Sequence, residues 1–401
     1  MAYIAPGRED ALVDSEDGLV AGGFPAGAKV RLRSDVESAV AAWSCAATFV
    51  ADADGTVDTR RDAPVSGDWS VVDPFGPYWS ADLEERAAAI SEAPLRVRAT
   101  AVAGTASAEA TFARGWSPSD AVEQEWEADG VVGRLVRPRD PAGCPGVVLL
   151  AGSAGGLGDL ATARLLAGHG VASLAVGLWN LPGLPDAMLE LPVELVGVAA
   201  RRLREEPGVP DHPVTVVGAS RGGELALLAG AHLPEQVGSS VSLVGSGAPW
   251  GAVGADVDVN LPAWTVGGVP VPKLWEDESD PDAVLADREA LRAAAVPVER
   301  IRGQVLLVSG EDDAMWPATP LSEVAVDRAE RYGAAERVRH LSYPDAGHLT
   351  GLPPGFAVPA GISHPVDGVH YSFGGTRAGN HAARRDSWRE LVAFCRAAPK
   401  L

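Results

Sequence analysis

The chain is poor in cysteine, in basic charge and in long apolar runs, and each shortage removes a class of protein. Its three cysteines, Cys45, Cys144 and Cys395, are odd in number and far apart, which supports neither a disulfide framework nor a zinc cluster. They read as small buried hydrophobes. Lys and Arg total 33 against 54 Asp and Glu, a formal net charge of −21. No window gathers a basic stripe that could neutralise a phosphate backbone, so nucleic acid is excluded as a partner. No apolar run approaches the ~20 residues of a membrane span. The opening residues, MAYIAPGREDALVDSEDG, lack the basic and then apolar regions of a secretory signal. The expectation is a cytoplasmic protein without a membrane span.

What is present is globular: 46% hydrophobic and 22% charged over 401 residues, enough for two units. Residues 1–21 are acidic, broken by Gly and Pro and aperiodic, and read as a loosely held arm. Over 22–118 apolar and polar residues alternate, as in Val30-Arg31-Leu32-Arg33 and Leu95-Arg96-Val97-Arg98-Ala99-Thr100-Ala101. That period suits strands with one buried face. With turn signals at Asp54-Gly55 and Ser66-Gly67, the segment reads as an all-β sandwich. The turn-rich Gly115–Asp120 and the acidic stretch after it make 119–130 a linker.

From 131 to 401 short continuous apolar runs alternate with helical periods: Val147–Leu150, Leu160–Gly168, Val171–Val176, Val193–Leu203, Val214–Val217, Gly222–His232 and Val241–Val244. Runs apolar on both faces, separated by helices, predict a mostly parallel sheet in an α/β domain. Residues 247–298 interrupt the rhythm with Pro249, Trp250, Pro262, Trp264, Pro270, Pro272 and Trp275. A connection of that length is usually a functional excursion such as a lid. The rhythm resumes at Val305–Val308, Leu321–Tyr332 and Val338–Leu341 and closes with a helix from about His381 to Arg396.

The sharpest chemical signal is Gly218-Ala219-Ser220-Arg221-Gly222, between the run Val214–Val217 and a helical period. In a strand–turn–helix elbow the nucleophile sits on a strained turn, and the residues two before and two after it must lack bulk. Gly218 and Gly222 meet that need and nominate Ser220. A serine requires an oriented base, and the order Ser, acid, His of an α/β-hydrolase is present. Glu311, Asp312 and Asp313 follow the run Val305–Val308, and His348 follows the next strand, with Gly347 freeing the backbone before it. Locally the three carboxylates cannot be told apart.

Gly152-Ser153-Ala154-Gly155-Gly156 is a Gly-rich turn after a central strand. It lacks the Gly-Lys-Ser/Thr of a P-loop and does not match G-x-G-x-x-G, so nucleotide binding is disfavoured. Its better role is an oxyanion hole, with a backbone N–H of Ala154 or Gly155 joining that of Arg221. His169, His212, His232 and His340 lie at element ends where a solvated role is expected. His364, His370 and His381 could line a pocket but read as surface or half-buried.

These blocks resemble the family of acyl-CoA thioesterases and bile acid-CoA:amino acid N-acyltransferases over nearly the whole chain after the first 20 residues. The resemblance rests on Asp62–Gly67, Val72–Ser80, Gly152–Leu157, Leu166–Gly170, Asn180 with Leu184-Pro185, Ser220–Leu225, Val296–Arg300, Gly310–Trp316 and Tyr343–His348. It implies a β-sandwich followed by an α/β-hydrolase, with Ser220 as nucleophile, His348 as base and Asp313 as the acid. It implies an acyl thioester substrate and no metal or redox cofactor, CoA or the phosphopantetheine arm of an acyl carrier protein being part of the substrate. Family members specialised for amide transfer carry Cys at the nucleophile, so Ser220 favours hydrolysis. Transfer to an amine and ester hydrolysis on the same fold remain alternatives. Pro399-Lys400-Leu401 departs at its first position from the family's peroxisomal tripeptide. The 30 Arg against 3 Lys suit a GC-rich bacterial source.

Overall fold

The alternating stretches become strands in a computed structural model that describes residues 1–81, 83, 93–274, 281–366 and 368–397. The first unit holds strands β1 (Tyr3–Pro6), β2 (Leu19–Gly22), β3 (Lys29–Glu37), β4 (Ala42–Val50), β5 (Val57–Asp58), β6 (Ser66–Gly67), the single turn α1 (Gly76–Trp79), β7 (Leu95–Ala103) and β8 (Ala106–Arg114). Val30, Leu32, Ser34 and Val36 of β3 are buried, as are Leu95, Val97, Ala99 and Ala101 of β7, while Arg31, Arg33, Arg96 and Arg98 between them are exposed. This is the period-two signature of a sheet with one wet face. Two sheets result, β1-β2-β5 and β6-β4-β3-β7-β8.

Two expectations fail here. Residues 1–21 are not a loose arm: β1 pairs antiparallel with β2, and Val13 and Leu19 are fully buried. The cause lies a hundred residues away, where the buried Arg114 guanidinium donates to the carbonyls of Leu12 (2.9 Å), Val13 (3.1 Å) and Ser15 (2.8 Å). It also lies 4.3 Å over the Tyr78 ring. Ser66-Gly67 is not a turn but the edge strand β6 against Thr48 and Ala47 of β4. The Asp68 carboxylate takes the Ala46 N–H (2.6 Å) and holds it there.

The second unit contains β9 (Val122–Ala128), β10 (Val131–Arg137), β11 (Gly146–Leu150), α2 (Leu160–Gly168), β12 (Ala172–Gly177), β13 (Leu191–Pro192), α3 (Glu194–Arg204), β14 (Val214–Ala219), α4 (Arg221–His232), β15 (Val237–Leu243), β16 (Trp264–Val266), β17 (Val269–Pro270), α5 (Pro281–Ala286), α6 (Arg288–Ala294), β18 (Val305–Gly310), α7 (Ala318–Arg331), β19 (Val338–Tyr343) and α8 (Arg377–Arg396). The short strands β20 (Gly361–Ser363) and β21 (His370–Ser372) precede α8. The main sheet runs β19-β18-β15-β14-β11-β12-β10-β9, parallel from β12 to β19 and antiparallel at β10 and β9. Every residue of β11, β12, β15 and β18 is buried, as strands covered on both faces must be.

Residues 119–130 are accordingly not a linker. Asp129 and Gly130, at φ 51° and 78°, form the two-residue turn between β9 and β10. The acidity of β9 reflects pairing: Arg134 reaches Glu123 (2.7 Å) and Glu125 (2.9 Å), and Arg164 reaches Glu123 (2.9 Å). The expected span 131–401 also changes. The two compact units are Met1–Pro118 with Pro353–Ile362, and Ser119–Leu352 with Ser363–Leu401. Phe356 packs edge-on against Trp116, ring centroids 5.1 Å apart, within the first unit. Trp275, within the expected excursion, and Pro399–Leu401 lie outside the described residues. Among those described, no helix is long and apolar enough to cross a membrane.

Candidate active site

Strand register brings the chemistry to one edge of the parallel sheet. Leu150 pairs with Gly218, Ala219 with Leu243, Leu243 with Val308, and Gly310 with Tyr343. The carboxyl ends of β11, β14, β15, β18 and β19 therefore stand side by side. Gly152 lies two residues past β11, Ser220 one past β14, Asp313 three past β18 and His348 five past β19.

Ser220 has φ 55° and ψ −122° at the N-terminus of α4. For a residue with a Cβ this backbone costs about 1–3 kcal/mol, and it persists because its surroundings fix it. The Ser220 N–H donates to Leu243 O (2.8 Å). A Cβ on Gly218 would fall 2.0 Å from Gly222 O, and one on Gly222 would fall 2.6 Å from Ala151 O. The two glycines are thus required by close approach of backbone to backbone.

His348 Nδ1 lies 2.7 Å from Asp313 Oδ2, with the two side chains 8% and 1% exposed. The other carboxylate oxygen, Oδ1, accepts from Met315 N (2.9 Å) and Trp316 N (3.3 Å). Asp312 is exposed and contributes its backbone, donating to Ala346 O (2.9 Å) and accepting from Gly375 N (3.1 Å). Of the three adjacent acids, Asp313 alone meets the imidazole among the described contacts. The histidine loop is held from α8, where Asn380 accepts from Gly347 N (2.7 Å) and donates to Gly374 O (2.9 Å). The Trp316 indole stands edge-on to His348 at 6.3 Å and donates to Val244 O (2.8 Å). Neither Asn380 nor Trp316 was singled out for a role from the sequence.

The Gly-rich turn reaches the elbow, since a Cβ on Gly152 would stand 3.7 Å from Ser220 Cβ. Of its two candidate donors, Gly155 is already engaged, its N–H donating to Gly152 O (3.1 Å). The carbonyl of the other candidate, Ala154, accepts from Asn180 Nδ2 (2.9 Å).

The excursion packs on the helix of Ser220. Arg221 donates to Trp250 O (2.9 Å) and Gly251 O (2.8 Å), and its guanidinium lies 3.2 Å from the buried Glu224. Glu224 in turn accepts from Trp264 Nε1 and from Trp250 N. Arg221 was expected to act through its backbone, and the structure adds this clamp through its side chain.

The remaining histidines divide differently from expectation. His340 is half-buried on the edge strand β19 and bonded to Ser309 Oγ (2.8 Å). His364 and His381 are 7% and 5% exposed, and His364 Nε2 lies 3.0 Å from Ser153 Oγ. His370 is exposed as expected.

An elbow serine, an acid–histidine pair and a Gly-rich turn at the carboxyl edge of such a sheet define an α/β-hydrolase. Residues 192–398 match the BAAT / acyl-CoA thioester hydrolase C-terminal model, and residues 17–126 match the acyl-CoA thioester hydrolase/BAAT N-terminal region. The chain belongs to the acyl-CoA thioester hydrolase/BAAT family. It is 27% identical to acyl-coenzyme A thioesterase 1 of Rattus norvegicus over 358 residues, covering 87% of this chain and 84% of the relative. It is 30% identical to acyl-coenzyme A amino acid N-acyltransferase 1 of Mus musculus over 287 residues, covering 70% of this chain and 66% of the relative. Among solved structures, a 2,6-dihydroxy-pseudo-oxynicotine hydrolase is similar at a TM-score of 0.42 and 14% identity, covering 70% of this chain and 71% of that one.

Proposed function

We propose that the chain is a serine hydrolase that cleaves acyl thioesters, releasing free acid from acyl-CoA or from a phosphopantetheine carrier. The observation that carries this reading is the 2.7 Å contact between Asp313 and His348 at the sheet edge that also bears the elbow serine. Ser220 Oγ attacks the thioester carbonyl carbon while His348 takes its proton. Asp313 holds the imidazole tautomer through Nδ1, and the N–H groups of Arg221 and Ala154 receive the developing oxyanion. The C–S bond breaks, His348 returns the proton to the thiolate, and an oxygen ester of Ser220 remains. Water, deprotonated by His348, attacks that ester and frees the acid and the serine. The thiolate leaves readily, so the chemistry asks less of the enzyme at this step than amide cleavage would.

Acyl transfer to an amine is the second reading, favoured by the likeness to a murine N-acyltransferase. The test is a panel of acyl-CoA and acyl-carrier thioesters, read for free thiol and, by mass spectrometry, for product, with and without excess glycine or taurine. Free acid is expected as the main product in both conditions. Dominant amide would replace hydrolysis by transfer, and turnover of oxygen esters without thioesters would make the chain an esterase.

A further inference from the structure

The Gly-rich turn carries a side-chain pair that the proposed reaction leaves without a role. Ser153 Oγ and His364 Nε2 meet at 3.0 Å although 211 residues separate them in sequence. His364 is itself well held. Its N–H donates to Val369 O (2.8 Å), its carbonyl accepts from Gly368 N (2.9 Å), and its ring stands edge-on to Tyr371 at 5.9 Å. On the other flank, Asn180, at a left-handed φ of 54°, holds Ala154 O through Nδ2 at 2.9 Å. The peptide that presents the Ala154 N–H is thus bracketed, by a side-chain bond before it and a carbonyl bond after it. It belongs to a turn whose Gly155, Gly156 and Gly158 N–H groups donate to Gly152 O (3.1 Å), Trp179 O (3.1 Å) and Val176 O (2.9 Å), so the stretch after Ala154 is anchored by backbone and the residue before it by the Ser153 side chain.

Oxyanion donors accelerate a reaction because they already point where charge will develop. A donor whose peptide is held on one side only must be reoriented during the reaction, which raises the barrier without weakening the bound ground state. We propose that His364 and Ser153 are a positioning pair that fixes the Ala154 N–H toward the oxyanion. The proposal rests on the reading of Ser220 as nucleophile. His364 touches no reacting atom and acts through Ser153.

The experiment compares Ser153→Ala, His364→Ala, His364→Gln and the double Ser153→Ala/His364→Ala variant with the wild-type chain, at a temperature where melting curves show all to be folded. Thioester kcat and KM are measured, together with the affinity for a trifluoromethyl ketone thioether, which forms a tetrahedral adduct on a serine nucleophile. Each alanine variant is expected to lower kcat by about 10- to 100-fold, short of or equal to deletion of a donor, with KM nearly unchanged and ketone affinity falling in parallel. The double variant is expected to be no worse than the singles, since the residues act as one unit. The His364→Gln variant, whose amide can still bond Ser153, is expected to recover part of the loss. If His364→Ala does not fold, the Ser153→Ala variant decides, because it removes only one half-buried hydroxyl. Near-wild-type kcat, or a loss confined to KM, would overturn the positioning role. Turnover by a Ser220→Ala control would instead overturn the nucleophile, so the two failures are distinguishable.

Discussion

Asp313 shares its carboxylate between two duties: one oxygen meets His348 Nδ1 at 2.7 Å, while the other accepts the Met315 and Trp316 amides. The acid is therefore fixed in direction before any substrate arrives. Its neighbour Asp312 is exposed and, among the described residues, is bonded through its backbone. Asp313→Asn should lower kcat by about 10⁴-fold, because an amide at that place favours the wrong imidazole tautomer. Asp312→Asn should change it by about twofold or less, as exposed substitutions generally do. Equal losses measured for the two variants by thiol release would remove Asp313 from its role.

Arg221 and Glu224 form a buried ion pair that also ties down Trp250, Gly251 and Trp264. Glu224→Ala leaves the Arg221 guanidinium buried without its carboxylate, a change that costs about 3–5 kcal/mol in such settings. Urea unfolding should show a loss of that order, with unfolding of the second unit at lower denaturant. A midpoint equal to wild type would mean that the carbonyls of Trp250 and Gly251 alone satisfy the arginine.

His340 and His232 are both pushed below the ordinary 6.5 by burial, Arg300 adding to the effect at His232 while Glu311 and Glu194 oppose it at the two sites. The unfolded chain takes up these protons near pH 6.5, whereas the folded chain resists until lower pH. Stability is therefore full above the unfolded value and is lost as pH falls through the window below it. Unfolding free energy measured from pH 8 down to pH 5 should decline below pH ~6.5, and His340→Gln should flatten part of that decline. An unchanged slope in that variant would show that His340 does not contribute.

The thiols should be silent in the folded chain. All three cysteines are buried, and burial pushes Cys45 up to about 11 and Cys395 up to about 12. A thiol reacts as its thiolate, so a disulfide reagent should label the native chain slowly and the denatured chain at three sites. Rapid native labelling at Cys45 or Cys395 would contradict the burial.

The legible parts of this molecule are those whose cause is local. The elbow shows in sequence because Gly218 and Gly222 are needed within two residues of Ser220, and the arginine-interleaved strands show because one sheet face is wet. Asp313 could not be chosen over Asp312 from local pattern, since the turn that aims one of them is set by amides further along; only the family resemblance singled it out. Where the partner is remote, the sequence misleads. Residues 1–21 look loose until Arg114 fills their carbonyls, and β9 looks solvated until Arg134 and Arg164 neutralise Glu123. The Asp129-Gly130 hairpin signal was present, but the acidity around it spoke for a connector. His364 could be noted only as a residue able to line a pocket, because its partner Ser153 lies 211 residues away.

The central claim, a covalent acyl-enzyme on Ser220, is tested most directly by acid-quenching the full chain during turnover of an acyl-CoA and mapping the acyl mass by peptide mass spectrometry. The expected result is one acyl group on the peptide containing Ser220, its disappearance as free acid accumulates, and no adduct in Ser220→Ala. An acyl group carried instead by Cys45, Cys144 or Cys395, or undiminished thiol release by Ser220→Ala, would contradict it.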